Sequence, residues 1–410
     1  MSSVELLIKD AAEVVTLAGP SRPRVGEEMS ELKILKNVSV AVVEGRIVAV
    51  GKDLEVSAQR TIDAKDKTVV PGFVDPHTHL VFGGSREFEL DWKLRGLSYM
   101  EIKKQGGGIG YTVKKTRQAS DQDLYAAGLA RLKRMMSYGT TSCEAKSGYG
   151  LDVETEKRIL KITNRLGRDT ALEILPTFLG AHDVPAGMDA ESYTDVVIEE
   201  MLPACASEAV FCDVFCEEGV FTPEQSRRIL EAGKRYDLTP KIHADEIVDT
   251  GGAGLAAEVG AISADHLLRA NDEGLKRMAE AGTIGVMLPG TPFALMMKEY
   301  APARRIIDLG VPLALATDLN PNCWVESMQF MMQLACFQMR LTPAEALTAA
   351  TFNAACAIGR QEEIGSIEVG KQADLLVLEC PNHMFIPYHF GVNLVESVIK
   401  KGVLVGNKDK

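Results

Sequence analysis

The chain has 410 residues, of which 46% are hydrophobic, and this is enough to bury a large core in one large domain and a smaller one. Its formal net charge of -12 argues against non-specific binding to nucleic acid or to anionic membranes. No apolar run reaches the length of about 18 residues that a transmembrane helix needs, and the first residues lack the pattern of a secretory signal. The eight cysteines include no Cys-x-x-Cys pair, so we expect a cytoplasmic protein with reduced thiols in its core.

The first part of the chain has the pattern of short β-strands. Residues 38–43 and 46–50 are rich in valine and flank Glu44-Gly45, a pair typical of a tight turn. From residue 68 onwards, apolar β-branched segments alternate with helical patterns. The eight predicted strands are residues 69–74, 140–144, 171–179, 212–216, 239–242, 261–264, 283–288 and 311–316.

Helical patterns separate these strands. Residues 121–138 follow Ser120, a good N-cap residue, and residues 223–235 are a second clear example. The alternation of eight strands with helices predicts a parallel (β/α)8 barrel of the TIM type, in the α/β class. Seven of the eight predicted strands end in polar or ionisable residues, at the side of the barrel that holds the active site in such folds.

The chain beyond the eighth strand changes its pattern. Residues 343–359 predict a helix, residues 365–378 return to a β pattern and residues 398–405 predict a pair of strands. We therefore expect both chain ends to form a small β-sandwich domain beside the barrel. The predicted division places residues 1–68 and 361–410 in the β domain and residues 69–360 in the barrel domain.

Five of the seven histidines follow predicted barrel strands directly. His77 and His79 lie two residues apart in an extended segment, so both rings point to the same face and can reach one metal ion. A solvent-exposed histidine pair is the alternative explanation of this short pattern. Its position after an apolar strand and Asp75-Pro76 favours the metal site.

Two further side chains complete a candidate metal centre. His243 follows the fifth predicted strand and Asp318 follows the eighth, which gives three nitrogen ligands and one oxygen ligand suited to zinc or iron. A bound ion of this kind lowers the pKa of water to about 7. Taken singly, His243 fits a core histidine bonded to a backbone carbonyl, and Asp318 fits a helix cap.

Glu246 and His266 are candidates for proton transfer near that centre. Glu246 lies three residues after His243, and His266 ends the sixth predicted strand. General acid–base catalysis needs a carboxylate and an imidazole in such a position, and we count Asp318 with them as catalytic. An exposed salt bridge and a satisfied core histidine are the alternatives for Glu246 and His266.

These residues lie in motifs that resemble a known family. Residues 70–79 are similar to the opening motif of the amidohydrolase superfamily, and residues 365–378 resemble its returning β segment. The likeness to one family within it, the imidazolonepropionases, runs along nearly the whole chain. Its motifs are residues 82–90, 106–109, 146–151, 178–182, 241–246, 263–266, 288–293 and 388–393.

The resemblance implies a homodimeric enzyme that hydrolyses a small molecule, 4-imidazolone-5-propanoate, to N-formimidoyl-L-glutamate. It implies one zinc or iron ion, with His266 beside the attacking water and Glu246 beside the ring nitrogen of the cleaved amide. It also implies that Arg86 binds the propionate carboxylate in two bonds, for which a solvated surface arginine is the alternative. The implied metal ligands are His77, His79, His243 and Asp318, and the implied substrate contacts are Arg86, Tyr149, His182, Glu246, Asn320, Asn322 and Cys323.

Two local features refine this resemblance. Some members of the superfamily bridge two metals with a carboxylated lysine on the fourth strand, but residues 212–218 contain no lysine, so one metal ion is expected. Many family members have Asn-Pro-Gly followed by Ser or Thr after the eighth strand, where this chain has Asn320-Pro-Asn-Cys-Trp324. Asn tolerates a positive φ better than most other residues, so Asn322 can replace that glycine.

Two other functions compete with this interpretation. A deaminase of the same superfamily, acting on a guanine- or cytosine-like ring, shares the metal, Glu246 and His266 but does not need Arg86 for a carboxylate. A catalytically inactive barrel with a scaffold role is the second alternative. Loss of a metal ligand would indicate the scaffold, and the sequence retains every ligand of the predicted set.

Overall fold

Two eight-stranded sheets organise the chain in the computed structural model, which describes residues 2–97 and 99–407. The strands are β1 (Ser2–Val15), β2 (Ile34–Val43), β3 (Arg46–Gly51), β4 (Val56–Asp63), β5 (Thr68–Pro71), β6 (Phe73–Asp75), β7 (Thr140–Lys146), β8 (Glu173–Ala181), β9 (Phe211–Cys216), β10 (Thr239–Ala244), β11 (Ser263–His266), β12 (Ile284–Met287), β13 (Leu313–Leu315), β14 (Leu375–Leu378), β15 (Val395–Lys400) and β16 (Val403–Asn407). The α-helices are α1 (Phe88–Leu94), α2 (Tyr99–Lys104), α3 (Gly108–Gln118), α4 (Asp121–Ser137), α5 (Val153–Asp169), α6 (Ala190–Val196), α7 (Leu202–Cys205), α8 (Pro223–Lys234), α9 (Gly252–Glu258), α10 (Asp272–Ala281), α11 (Gly290–Ala294), α12 (Ala303–Asp308), α13 (Met328–Met339), α14 (Pro343–Ala350), α15 (Phe352–Ala357) and α16 (Phe385–Tyr388). A π-helical turn at Val197–Met201 and 3-10 turns at Gly26–Ser30 and Ala206–Glu208 complete the helical segments.

Strands β6 to β13 form one sheet in which every strand pairs in parallel with the next strand along the chain. This order is that of a (β/α)8 barrel and confirms the predicted fold class. Each of the eight predicted strands contributes residues to the sheet. Among the described residues, no helix is both long enough and apolar enough to cross a membrane.

The barrel closes through the residues that follow its first and last strands. The backbone N–H of Asp318 donates to the carbonyl of His77 at 3.1 Å, and the N–H of His79 donates to the carbonyl of Leu319 at 2.8 Å. An isolated parallel bridge joins the two segments at the same point. Backbone hydrogen bonds therefore fix to each other the strand ends that carry three of the predicted metal ligands.

The predicted strand over residues 69–74 is wrong as a single element. β5 pairs with β14 of the other sheet, and only β6 joins the barrel. Gly72 separates them: its N–H donates to the carbonyl of Asp374, and a Cβ at this position would lie 2.2 Å from the hydroxyl of Thr141. The chain therefore passes from one sheet to the other at a position that excludes a side chain.

Both ends of the chain form the second sheet, as predicted. Its strand order is β16-β15-β14-β5-β1-β2-β3, and β4 pairs with the first half of β1. β1 has a bulge near Asp10, where φ is 56°, and the residues after the bulge pair with β5 instead. The assignment of residues 1–68 and 361–410 to one domain stays a prediction, and Met1 and residues 408–410 lie outside the described part of the chain.

The predicted helices agree with the structure in part. α4 begins after Ser120, whose hydroxyl accepts the N–H of Asp123, as the sequence predicts. The predicted helix over residues 343–359 is instead divided into α14 and α15 at Thr351, where φ is -129° and ψ is -85°. The hydroxyl of Thr351 donates to the carbonyl of Leu347 at 2.6 Å, so a side chain takes the place of the continuing backbone ladder.

The largest hydrophobic cluster joins the barrel strands to the helices around them, and a smaller one lies in the second sheet. All eight cysteines are free and seven of them are buried, which confirms the prediction of core thiols. Several buried charged side chains, by contrast, lie in the barrel strands or directly after them.

Candidate metal centre and active site

Five histidines from four strand ends converge on one point of the barrel. The ring centroid of His77 lies 4.5 Å from that of His243, 5.4 Å from that of His79 and 5.6 Å from that of His266. His79 stacks on His182 with a centroid distance of 4.8 Å. All five side chains are buried, which excludes an exposed pair as the explanation of His77 and His79.

A set of ligand atoms for one metal ion lies in the middle of this cluster. One ring nitrogen from each of His77, His79 and His243 lies within 4.8 Å of the others. Oδ1 of Asp318 is 3.5 Å from Nε2 of His77 and 3.6 Å from Nε2 of His79. The Nε2 atoms of His77 and His243 are buried without a hydrogen-bond partner. Such orphaned atoms are rare in native proteins, and a metal ion at this point would satisfy them.

Two carboxylates behind the rings orient the histidines. Oδ2 of Asp265 lies 2.6 Å from Nδ1 of His77, and Oδ1 of Asp213 lies 3.1 Å from Nδ1 of His243. Each carboxylate favours the tautomer that donates from Nδ1 and leaves Nε2 free to bind a cation. Carboxylate–histidine pairs of this kind are typical of metal sites in proteins.

A buried lysine connects these two carboxylates. Nζ of Lys146 lies 2.6 Å from Asp213, 2.8 Å from Glu144 and 3.5 Å from Asp265. Although burial disfavours a charged lysine, the three carboxylates raise the pKa of Lys146 above its ordinary value, so it stays charged. A second group of potential ligands, His77, Glu144 and Asp265, also lies within 4.8 Å, but the Lys146 ammonium already pairs with both of its carboxylates.

This buried network was not predicted from the sequence. Its signal is the presence of charged residues inside barrel strands, at Glu144 and Lys146 in β7 and at Asp213 in β9. Glu144 and Lys146 are two residues apart and therefore face the same side of their strand. Because charged side chains are almost never fully buried without a partner, their presence in barrel strands indicates an ion-pair network.

Burial keeps two of the candidate ligands neutral. It holds the pKa of His77 and that of His79 well below the ordinary value, so both rings can offer a lone pair to a metal. Burial acts in the same direction on His243, but the Asp213 carboxylate outweighs it and raises the pKa. Metal binding at His243 therefore competes with a proton. Burial also raises the pKa of Asp318 to about 6.

Glu246 and His266 face each other beside the histidine cluster. Nε2 of His266 lies 3.7 Å from Oε2 of Glu246, and Nδ1 of His266 is buried without a partner, so this is not a satisfied core histidine. Burial holds the pKa of His266 well below its ordinary value, which leaves the ring neutral. Burial, followed by the charge of Asp318, raises the pKa of Glu246 to about 8. A neutral base and a protonated acid therefore lie side by side.

The backbone is strained at the strand ends that carry these groups. The φ angles of Asp245, His266 and Asp318 are 52°, 78° and 53°, in the left-handed region that residues other than glycine rarely adopt. The carboxylate of Asp245 accepts the N–H groups of Thr250 and Gly252, which holds the loop that contains Glu246. This turn directs the side chains after β10 towards the cluster.

Tyr149 and His182 extend the cluster away from the predicted metal ligands. The ring of Tyr149 lies 5.1 Å from that of His182 and 5.5 Å from that of His79. Nδ1 of His182 lies 3.0 Å from the carbonyl of Gly148, and burial lowers the pKa of this histidine to about 3. At Gly148, with a φ of 106°, a Cβ would lie 2.8 Å from that Nδ1, so glycine is needed for the close approach. The structure thus brings both predicted substrate contacts against His79.

In the loop after β13, the side chain of Asn320 binds backbone N–H groups of the same loop. Oδ1 of Asn320 accepts the N–H groups of Asn322 and Cys323 at 2.7 Å and 2.9 Å, and its Nδ2 donates to the carbonyl of Asp318. The positive φ considered for Asn322 is not observed. Its side chain accepts a hydrogen bond from Lys93 instead. The backbone N–H groups of Asn322 and Cys323 are therefore already occupied, and Sγ of Cys323 lies 3.7 Å from the carbonyl of Thr317.

Arg86 is buried, which contradicts the alternative of a solvated surface arginine. Its Nε and Nη2 each donate to one oxygen of Glu89 at 2.8 Å. Arg131 supports the segment before it by donating to the carbonyl of Leu80 at 2.7 Å. Among the described residues, no hydrogen bond or ring contact joins Arg86 to the five histidines.

Known proteins resemble the chain in sequence and in fold. The sequence pattern of the amidohydrolase family matches residues 68–405. The chain is 54% identical to the imidazolonepropionase of Geobacillus kaustophilus (strain HTA426) and 49% identical to that of Alkaliphilus metalliredigens (strain QYMF), each comparison covering 99% of both chains.

Solved structures with this fold include proteins of other activities. An adenosine deaminase from Xanthomonas campestris with bound zinc has a TM-score of 0.74 at 20% identity, covering 98% of this chain and 93% of that one. A triazine hydrolase variant has a TM-score of 0.77 at 16% identity, covering 99% of this chain and 96% of that one. At such low identities these two structures support the fold alone.

Proposed function

Since this chain belongs to the amidohydrolase family and, within it, to the imidazolonepropionases, we propose how its site opens the ring amide of 4-imidazolone-5-propanoate. Hydrolysis of this carbon–nitrogen bond gives N-formimidoyl-L-glutamate. The observation that carries the proposal is the buried group of three histidines and Asp318 beside the pair formed by Glu246 and His266.

The proposed metal ligands are His77, His79, His243 and Asp318, and they hold one zinc or iron ion. Their nitrogen and oxygen donors suit both metals, and the unpartnered Nε2 atoms support this set. A bound ion of this kind supplies Lewis acidity, which lowers the pKa of water to about 7. One ion is favoured over two because β9 contains no lysine and the Lys146 ammonium lies at the second group of potential ligands.

The proposed proton transfers use His266 as the base and Glu246 as the acid. The neutral ring of His266 accepts a proton from the attacking water at Nε2, the nitrogen that faces Glu246. Glu246, protonated because burial raises its pKa, gives its proton to the ring nitrogen as the carbon–nitrogen bond breaks. The proton that His266 took from water then passes to Glu246, which restores both groups for the next cycle.

The remaining predicted residues bind the substrate in this proposal. The rings of Tyr149 and His182 pack around His79 and orient the imidazolone ring near the metal. Asn322 and Cys323 contact the substrate through their side chains, since Asn320 occupies their backbone N–H groups. The proposed substrate contacts are Arg86, Tyr149, His182, Glu246, Asn320, Asn322 and Cys323.

A turnover assay on imidazolonepropionate, combined with elemental analysis of the same sample, tests the proposal. We expect hydrolysis of the substrate and one zinc or iron ion per active chain. Removal of the ion by a chelator abolishes turnover, and adding either metal back shows which one restores it. Two ions per active chain, or an active chain with none, would contradict the proposed site.

Arg86→Gln tests the substrate assignment. A charge-assisted hydrogen bond to the propionate is worth about 1.5 to 3 kcal/mol, so we expect kcat/KM to fall about 10- to 150-fold, mainly through a higher KM. We expect the variant to change kcat/KM little for an imidazolone that lacks the carboxylate. Arg95→Gln is the matched control, because Arg95 caps the end of helix α1, which begins two residues after Arg86, and it pairs with Asp91 and is 72% exposed.

The same measurement distinguishes a substrate contact from a structural one. Arg86 also neutralises the buried carboxylate of Glu89, so the variant is compared with the wild type for its melting temperature. Equal losses of turnover on both compounds would show that Arg86 supports the fold through Glu89. The site retains every predicted ligand, so the scaffold alternative gains no support from it, and the relatives at 54% and 49% identity favour the imidazolonepropionase function over the deaminase alternative.

The homodimer and the cytoplasmic location expected from the sequence are further parts of this proposal. Exposed aromatic side chains on neighbouring segments support a subunit contact. The rings of Phe337 and Phe390 are 56% and 68% exposed and lie 5.9 Å apart. Clusters of exposed apolar groups are common at protein–protein interfaces.

A further inference from the structure

Arg86 and Glu89 form a buried ion pair, so the positive charge of Arg86 is largely neutralised before any substrate binds. Glu89 occupies two of the five guanidinium N–H groups of Arg86 and also accepts the N–H of Gly108 at 2.7 Å. The carboxylate of Glu89 is 1% exposed. Arg86 keeps N–H groups that can donate to a propionate, but its charge is balanced within the protein. A substrate carboxylate in this region therefore needs another cation.

Lys93 is placed to supply that cation. It lies four residues after Glu89 and therefore on the same face of α1. Burial lowers the pKa of Lys93, and the charges of Glu89 and Arg86 also act on it, in opposite directions. Nζ of Lys93 donates to Oδ1 of Asn322 at 2.5 Å, across the gap between α1 and the loop after β13.

That loop connects Lys93 to the metal centre. Asn322 and Cys323 follow Asp318 closely, and both are tied to Asp318 through the side chain of Asn320. A propionate that runs along this loop from a substrate ring near Asp318 would reach Asn322 and Lys93. The ammonium has three N–H donors, of which Asn322 takes one, so others remain for a carboxylate.

We propose that Lys93 binds the propionate carboxylate of the substrate and that the side chain of Asn322 holds it in position. The inference deepens the proposed function and rests on it for the identity of the substrate. Where many relatives are expected to have glycine, Asn322 provides an oxygen that fixes a flexible lysine. The carboxylate then receives net positive charge from Lys93 and hydrogen bonds from Arg86, which makes Lys93 a determinant of specificity for carboxylate-bearing rings.

Binding of two unreactive probes tests this independently of turnover. Imidazole-4-propionate carries the carboxylate and 4-ethylimidazole does not, and calorimetry on the metal-loaded enzyme gives a dissociation constant for each. We expect Lys93→Met to weaken binding of imidazole-4-propionate about tenfold, with little change for 4-ethylimidazole. Lys93→Arg keeps most of the affinity, and Asn322→Gly gives a smaller loss of the same selectivity.

Lys114→Met is the matched control, since Lys114 is an exposed lysine on the nearby helix α3. With imidazolonepropionate as substrate, Lys93→Met raises KM and leaves kcat near the wild-type value. Equal weakening of both probes, or no change for either, would overturn the proposal for Lys93. A wild type that binds imidazole-4-propionate but does not hydrolyse imidazolonepropionate would instead refute the proposed function.

Discussion

Glu246→Gln and His266→Gln are each expected to lower kcat about 100- to 10,000-fold, the range produced by the loss of a general acid or base. Gln at position 246 keeps the shape of the side chain but cannot give a proton to the ring nitrogen. Gln at position 266 cannot accept the proton of water. The measurement is kcat at saturating imidazolonepropionate, with elemental analysis of every sample.

Metal content separates a proton-transfer role from a ligand role. Neither Glu246 nor His266 belongs to the three-histidine group, so both variants are expected to keep about one ion per chain. Asp249→Asn is the matched control, because Asp249 is an exposed carboxylate in the same loop and bonds to Asn271. If either catalytic variant lost its metal, the affected residue would be a ligand and the assignment of roles would be wrong.

The predicted ligands could be found from the sequence because each follows an apolar strand directly. In a parallel barrel all strand ends of one kind meet at one face, so strand order alone brings His77, His243 and Asp318 together. The alternation of His77 and His79 then fixes which side they face. The structure agrees on the convergence, and their roles as ligands stay a proposal.

The contacts behind these residues could not be predicted in the same way. Which carboxylate meets which ring depends on strand tilt and side-chain rotamers, and neither has a sequence pattern. The pairs formed by Asp265 with His77 and by Asp213 with His243 are therefore visible only in the structure. The bidentate partner of Arg86 was missed for a similar reason, since an ion pair three residues apart at the start of a helix looks the same in sequence whether it is buried or exposed.

Two local breaks in regular secondary structure also could not be predicted from the sequence. The apolar run over residues 69–74 fits one strand by composition, and only the approach of Thr141 to Gly72 shows why the chain must change sheets there. Thr351 interrupts a helical pattern through a hydrogen bond from its own side chain. Both breaks depend on tertiary packing that overrides local propensity.

Lys146→Met is expected to reduce the free energy of unfolding by about 3 to 5 kcal/mol, because three buried carboxylates lose a shared partner. Methionine fills much of the volume of lysine, so little of the loss comes from a cavity. Denaturant unfolding of the metal-free protein at neutral pH gives the value. A loss below about 1 kcal/mol would show that the network contributes little to stability.

The loss has a definite dependence on pH. Burial raises the pKa of Asp213, but His243 and Lys146 outweigh it and hold that pKa below its usual range. A carboxyl group with a lowered pKa stabilises the fold above its unfolded pKa, and this contribution is lost as the pH falls through the folded pKa. The Lys146→Met substitution removes part of this stabilising contribution of Asp213. The difference between wild type and variant is therefore largest near neutral pH and shrinks below about pH 4.

Lys241→Met provides the control for this pH dependence. Lys241 is as deeply buried as Lys146, but it donates to the carbonyls of Pro76 and Ala357 at 3.2 Å each and lies 3.4 Å from Glu144. Because backbone carbonyls do not titrate, the stability lost in this variant changes less with pH. If both variants had the same pH profile, the loss of stability would come from the packing of the buried lysine side chain and not from the carboxylates. A pH dependence found only in Lys146→Met would attribute the loss of stability to the buried carboxylates, two of which orient histidines of the proposed metal site.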